Sequence, residues 1–210
     1  MKVICVIGDL IGSRKTADRA GLQEKLDLAL GAINRASRPH LLSPCTITLG
    51  DEYQAVYRDA DTLFQDAWLV LEKVYPEKVR FSLGLGTLTT PVNPEQAIGM
   101  DGPAFHAARE AMQPAFKRSG DLFRLSQADG PVAPWIGPAL TLVSHEAYHW
   151  KQHRFTVFQR FLSGADPKTI AQEADITTTA VYKNIQSGAL VAMRDLLHEM
   201  TRWINQQVQP

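Results

Sequence analysis

The order in which two periodicities alternate constrains this chain more than any single motif does. Apolar runs of strand length stand at 2–8 (KVICVIG), 45–49 (CTITL), 52–57 (EYQAVY) and 79–86 (VRFSLGLG). Helical spacing separates them twice. Leu22, Leu26, Ala29, Leu30 and Ile33 share one face between 16 and 36, and Leu63, Phe64, Ala67, Leu71 and Val74 share another between 60 and 75. The second and third runs are parted only by Gly50-Asp51, a hairpin corner. The string is β-α-β-β-α-β, then a helix over about 101–115 and a last strand over 121–126. That is an α+β chain on the ferredoxin-like plan.

The stretch Ala128–Pro138 (ADGPVAPWIGP) holds three prolines and two glycines and reads as a linker. The expected division is a ferredoxin-like domain at 1–127, a linker at 128–138 and an all-α domain at 139–210. No apolar run approaches the roughly 18 residues of a membrane span. The opening run is too short for a leader and reads as a first strand. Cys5 and Cys45 both sit in strand-like runs. Two such cysteines read as reduced core residues of a cytoplasmic protein.

On the ferredoxin-like plan the end of the first strand lies beside the start of the third. Those places hold Asp9 and Asp51-Glu52. Neighbouring strands sit about 4.8 Å apart, so the Asp9 and Asp51 carboxylates converge. Hard oxygen ligands so placed suit Mg²⁺ together with a phosphate-bearing substrate. The Gly12-Ser13 turn would offer backbone N–H groups to those phosphates. Taken singly, each aspartate is also an ordinary turn residue. Gly84 and Gly86 within one strand read as close packing. The six histidines show no ligand spacing beyond the His145/His149/His153 series, which reads as solvated helix.

Beyond the linker the strand signals stop. Phe155, Phe158, Phe161 and Leu162 face inward on a first helix, Asp166-Pro167 opens a second, and Thr177 or Thr178 caps a third. Ile176 plugs the angle between the last two. Read as a DNA-binding helix-turn-helix, this leaves Thr178, Thr179, Tyr182, Lys183 and Gln186 outward on a recognition helix over about 178–189. An ordinary helical hairpin has the same pattern. Charge does not choose between them. The whole chain balances 22 Lys/Arg against 22 Asp/Glu, and residues 151–210 carry seven against five. From Leu190 onward, Leu190, Met193, Leu197, Met200 and Ile204 form a stripe. It either packs on the domain or pairs two chains, and a homodimer would match two DNA half-sites.

The N-terminal half resembles class III nucleotide cyclase and GGDEF-type palm domains. The resemblance rests on Asp9-Leu10-Ile11-Gly12-Ser13, on Gly50-Asp51-Glu52, on Arg80-Phe81-Ser82-Leu83-Gly84-Leu85-Gly86 and on Gly102–Arg109. It implies metal ligands at Asp9 and Asp51 and nucleotide contacts from Gly12, Ser13 and Arg109. The cyclases carry an asparagine four residues before that arginine, and Phe105 stands there instead. A phenyl group neither orients a ribose nor stabilises charge on a phosphate, so the resemblance implies binding without cyclase turnover. Ile170-Ala171-x-x-Ala174-x-Ile176-Thr177-x-x-Ala180-Val181-Tyr182 resembles the tri-helical units of sigma-factor region 4. The whole arrangement, opening on Val6-Ile7-Gly8-Asp9-Leu10-Ile11-Gly12-Ser13-Arg14, resembles the SatD family.

Together these features lead us to expect a DNA-binding transcriptional regulator that uses a nucleotide or divalent metal as its signal. Two rivals fit the same residues. One is an active Mg²⁺-dependent nucleotidyl enzyme with a DNA-targeting appendage. The other is a scaffold in which both aspartates only shape turns.

Overall fold

The structure is a computed structural model describing residues 1–13 and 16–208. Arg14 and Lys15, which close the expected turn after Asp9, lie outside the described residues, as do Gln209 and Pro210. The chain runs β1 (Lys2–Ile11), α1 (Arg19–Ala36), a 3-10 turn (Arg38–His40), β2 (Leu41–Leu49), β3 (Glu52–Tyr57), α2 (Leu63–Val74) and β4 (Lys78–Thr87). Then come α3 (Pro103–Ala111), α4 (Pro114–Ser119) and β5 (Phe123–Gln127). The strands lie in the order β2-β3-β1-β4-β5. β1 is antiparallel to both β3 and β4, and β5 adds parallel to β4. Four strands and two helices therefore make the ferredoxin-like sheet that the string of periodicities predicts.

Several boundaries differ from expectation, with β2 starting at Leu41 and α5 at Ile136 inside the expected linker, and two of the differences have plain local reasons. β1 continues to Ile11 because Asp9 pairs on both sides, with Glu52 of β3 and Arg80 of β4. Asp9 is thus a strand residue with a fixed direction. The helix expected over 101–115 is two helices, with Pro114 opening the second. A proline lacks the N–H that would continue the first but fits the opening turn of the next.

Alternation along the strands gives the sheet two unlike faces. On one, Ile4, Val6 and Leu10 of β1 meet Val79, Phe81, Leu83 and Leu85 of β4, under α1 and α2. On the other, Val3, Cys5 and Ile7 meet Val56, with Ala104, Phe105 and Ala108 of α3 above them. Gly84 and Gly86 explain how α3 lies so close to the sheet. A Cβ at Gly84 would stand 2.2 Å from the Ala104 carbonyl oxygen and 2.4 Å from the Ala108 nitrogen. The Ser82 hydroxyl donates to the Ala108 carbonyl at 2.6 Å on the same face.

The remaining elements are α5 (Ile136–Tyr148), α6 (Gln152–Leu162), α7 (Pro167–Glu173), α8 (Thr178–Ser187) and α9 (Leu190–Val208). Their ends follow the local chemistry. The Asp166 side chain accepts from the Lys168 and Thr169 amides ahead of Pro167, and the Thr177 hydroxyl accepts from the Ala180 amide at 3.1 Å. Their apolar sides join the larger core. Trp68 of α2 stacks on Trp150 at 5.4 Å between centroids and meets the edge of Phe158 at 4.9 Å. The stripe Leu190, Met193, Leu197, Met200 and Ile204 is buried in that same core. Of the two outcomes the sequence leaves open for this stripe, the structure shows the first, packing on its own chain. Among the described residues no helix is long and apolar enough to cross a membrane.

Candidate functional site

The fold brings Asp9 and Asp51 to one end of the sheet. The Leu10 amide donates to the Asp51 carbonyl at 2.9 Å, so the hairpin corner is tied to the strand beside Asp9. From α1, the Gln23 side-chain amide donates to the Gly50 carbonyl at 2.8 Å and steadies the corner from behind. Ser13 is buried, and its hydroxyl donates to Asp51 Oδ2 at 2.5 Å. The Asp-x-x-Gly-Ser turn and the Gly-Asp hairpin therefore touch through side chains. Gly12 sits in the same turn with a φ of +74°, a backbone shape that favours glycine.

The Asp9 carboxylate already has company. Across the sheet the register is Glu52–Asp9–Arg80, a row of three charged residues on one face. Arg80 Nη1 lies 3.3 Å from Asp9 Oδ2, and Lys117 Nζ of α4 lies 3.6 Å from the same oxygen. Arg80 also donates through Nη2 to the Lys117 carbonyl at 2.9 Å, which draws α4 toward the strand. Glu52 is held apart by donors of its own, Thr48 Oγ1 at 3.2 Å and Gln54 Nε2 at 3.0 Å. Two carboxylates on neighbouring strands repel, and the Arg80–Lys117 pair offsets part of that charge.

Arg80 and Lys117 are absent from the sequence-based set of site residues. Register is the signal that could have found Arg80, since pairing β1 with β4 puts it opposite Asp9. Nothing in the local pattern points to Lys117, whose helix begins only because Pro114 breaks the one before it.

Phe105 is 2% exposed and packs into the smaller core against the sheet. The residue standing where cyclases carry asparagine is therefore a core side chain. Arg109, one helical turn further along α3, is exposed. His106 is exposed too and pairs with Asp101 at 2.9 Å.

By donor type Asp9 and Asp51 suit Mg²⁺, since both offer carboxylate oxygen. Their ligand atoms and that of Glu52 are not gathered into a cluster of three among the described residues. A cation there would compete with Lys117 for Asp9 Oδ2. The Arg80 Nε atom is buried without a hydrogen-bond partner, so the guanidinium has a donor left to satisfy.

The C-terminal residues singled out in the sequence lie on one helix. On α8, Val181 is buried, Thr178 is half-buried, and Thr179, Tyr182, Lys183 and Gln186 are exposed. Tyr182 is 58% exposed, a large ring left in solvent. The opposite side of α8 is tied down, with Arg154 of α6 donating to Asn184 Oδ1 at 3.3 Å and to Ser187 Oγ at 2.7 Å. Lys183 is the sole basic residue of this helix.

A family model described as the SatD family matches residues 3–197. Among solved structures, the chain is 20% identical to the catalytic core of a rhodopsin-guanylyl cyclase with converted specificity in complex with ATPαS. That match covers 52% of this chain and 70% of the other, with a TM-score of 0.38. The guanylate cyclase domain from Catenaria anguillulae in complex with GTP is 18% identical over 52% of this chain and 71% of its own, with a TM-score of 0.39. A bacterial light-regulated adenylyl cyclase is 13% identical over 60% of this chain and 43% of its own, with a TM-score of 0.44. Likenesses this distant carry no argument about chemistry, and the fold rests on strand order and register. No curated protein sequence matches the chain.

Proposed function

The chain belongs to the SatD family, and from that premise we propose a nucleotide-responsive DNA-binding regulator. In this reading a nucleotide with Mg²⁺ sits at the sheet end that carries Asp9, Asp51, Gly12 and Ser13, and the exposed Arg109 of α3 would reach toward it. The carrying observation is the contact of two separate motifs, with Ser13 donating to Asp51 beside the Asp9 strand end. Asp9 and Asp51 would hold the metal, the amides of the Gly12-Ser13 turn would meet phosphate oxygens, and Arg109 would add a positive charge. Mg²⁺ would supply charge neutralisation for those phosphates. Phe105 in the core favours binding over turnover.

The division into 1–127, a linker at 128–138 and 139–210 belongs to the same proposal. So does DNA as the partner of α7 and α8 as a helix-turn-helix, through Thr178, Thr179, Tyr182, Lys183 and Gln186. With one lysine on the exposed face, a single copy neutralises few phosphates. A homodimer reading two half-sites would restore the affinity. Cytoplasmic location goes with this reading.

Thermal unfolding with ATP or GTP and Mg²⁺ tests the sensor. A rise in midpoint for wild type that vanishes in Asp9→Asn and in Asp51→Asn is expected, and equal rises in all three would defeat it. Fluorescence anisotropy with genomic DNA fragments tests the other half. The Tyr182→Ala/Lys183→Ala double variant should bind at least tenfold more weakly, and unchanged affinity would remove the recognition-helix assignment.

The enzyme reading keeps one observation on its side, since Asp9, Asp51 and Arg109 all remain. Formation of any cyclic or linear nucleotide product on incubation with ATP, GTP and Mg²⁺ would establish it and displace the sensor.

A further inference from the structure

At the far end of β3 from Asp51, three metal-ligating side chains converge that the proposed function does not use. His40 closes the 3-10 turn before β2, and Asp59 and Asp61 lie in the loop between β3 and α2. One ligand atom from each lies within 4.8 Å of the other two, and this is the only such group of three among the described residues. His40 Nδ1 is 2.7 Å from Asp59 Oδ1. His40 and Asp59 are both about three-quarters buried. Asp61 is exposed and faces solvent.

The backbone around the cluster is held from several directions. The Arg58 amide donates to the His40 carbonyl at 2.9 Å, which locks the two segments together. Asn205 of α9 accepts from the Ala60 amide and donates to Asp61 Oδ1, both at 2.7 Å. The loop that carries both carboxylates is thereby pinned by one residue, Asn205, which lies 145 positions beyond Ala60 in the chain.

We infer that His40, Asp59 and Asp61 form a binding site for a divalent transition-metal ion. One imidazole nitrogen with two carboxylates is a mixed donor set. It suits Zn²⁺ or Mn²⁺ better than Mg²⁺ or Ca²⁺, which take oxygen alone. His40 and Asp59 are joined by a direct hydrogen bond at 2.7 Å, and Asp59 Oδ1 also accepts from the Asp61 amide at 3.1 Å. An ion would therefore replace the imidazole proton and part the two ligand atoms slightly while Asp61 closes in. It is also the one ligand whose side chain faces water. Two aspartates in one short loop repel, and a dication at their midpoint removes that repulsion. The remaining coordination positions face solvent and would carry water. Through Asp61 the ion would stiffen the corner where the sheet meets α9.

The test uses the full chain, stripped with chelator and titrated separately with ZnCl₂, MnCl₂ and MgCl₂ by calorimetry. One Zn²⁺ or Mn²⁺ per chain is expected, with affinity reduced at least tenfold in His40→Ala and in Asp61→Asn. The exposed Asp61→Asn change keeps the test valid if His40→Ala fails to fold. Asn205→Ala, which loses the tie to α9 and no ligand, should still bind. Repeating the titrations in the Asp9→Asn/Asp51→Asn background removes any metal held at the proposed nucleotide site, and the dependence on His40 and Asp61 should persist there, which separates the two sites. Absence of stoichiometric Zn²⁺ or Mn²⁺ binding by wild type would overturn the inference. So would wild-type affinity retained in both His40→Ala and Asp61→Asn, or binding abolished by His149→Ala and kept by His40→Ala.

Discussion

The two faces of the sheet are built from the same strands and do different work. One is deep and aromatic, and it gathers α1, α2, α5, α6 and α9 into one continuous core. The other is thin. Its helix α3 rests on bare glycine backbone, and its strand ends carry the charged row Glu52–Asp9–Arg80. Stability is concentrated where side chains are large, whereas the charged groups collect where there is too little apolar volume to bury them. A ligand site on the thin face can change its charge partners without dismantling the core.

Trp68→Ala gives the severest test of that contrast. Trp68 is fully buried among Trp150, Phe155, Phe158 and Phe123. Truncating it should cost about 3–5 kcal/mol, measured by denaturant unfolding. A cost below about 1 kcal/mol would mean that the aromatic face does not dominate stability. Gly84→Ala probes the other face. Its Cβ would collide with main chain of α3, so the helix must shift, at a cost of about 1–3 kcal/mol. Because α3 continues toward α4 and Lys117, the same change should weaken the nucleotide-induced thermal shift. A shift identical to wild type would uncouple the two.

The smallest effect concerns pH. Asp66 of α2 is buried, and desolvation pushes its carboxyl from the usual 3.8 up to about 6, against the pull of hydrogen bonds from Ser37, Thr62 and Tyr57. A raised folded value means that the native state holds the proton more tightly than the unfolded chain does. This group therefore costs stability above pH 6, and the cost fades as pH falls through 6 toward 4. Relative to Asp66→Asn, wild type should gain on the order of 2 kcal/mol between pH 7.5 and 4.5. A pH-independent difference would show that Asp66 is not desolvated in the folded chain.

Much of this contrast is legible in the sequence, and what is not has physical reasons. The row Leu22, Leu26, Ala29, Leu30 and Ile33 and the span of β3 follow from periodicity, which reports burial directly. Asp9 and Asp51 come together because strand order follows from the string of elements. Arg80 and Lys117 escape notice because their relation to Asp9 depends on register and on where one helix stops. His40, Asp59 and Asp61 escape for a different reason. Their meeting is set by how the turn before β2 folds over the end of β3, which no spacing in the chain encodes. The α9 stripe shows the limit from another side. Periodicity announces that a face is covered and leaves open whether the same chain or a second one covers it.

The Asn205 contact also bears on how the molecule is made. A ribosome adds roughly 5–20 residues each second. The Ala60 amide is thus synthesised roughly 7–30 s before the side chain that will satisfy it. Within that interval β4 and β5 are completed and the sheet can pair, yet the corner at 59–61 lacks its partner and the broad apolar face lacks α9. The nascent chain is therefore exposed on its most aromatic side until the C-terminal helices arrive, which is the window in which a holding chaperone has most to offer it.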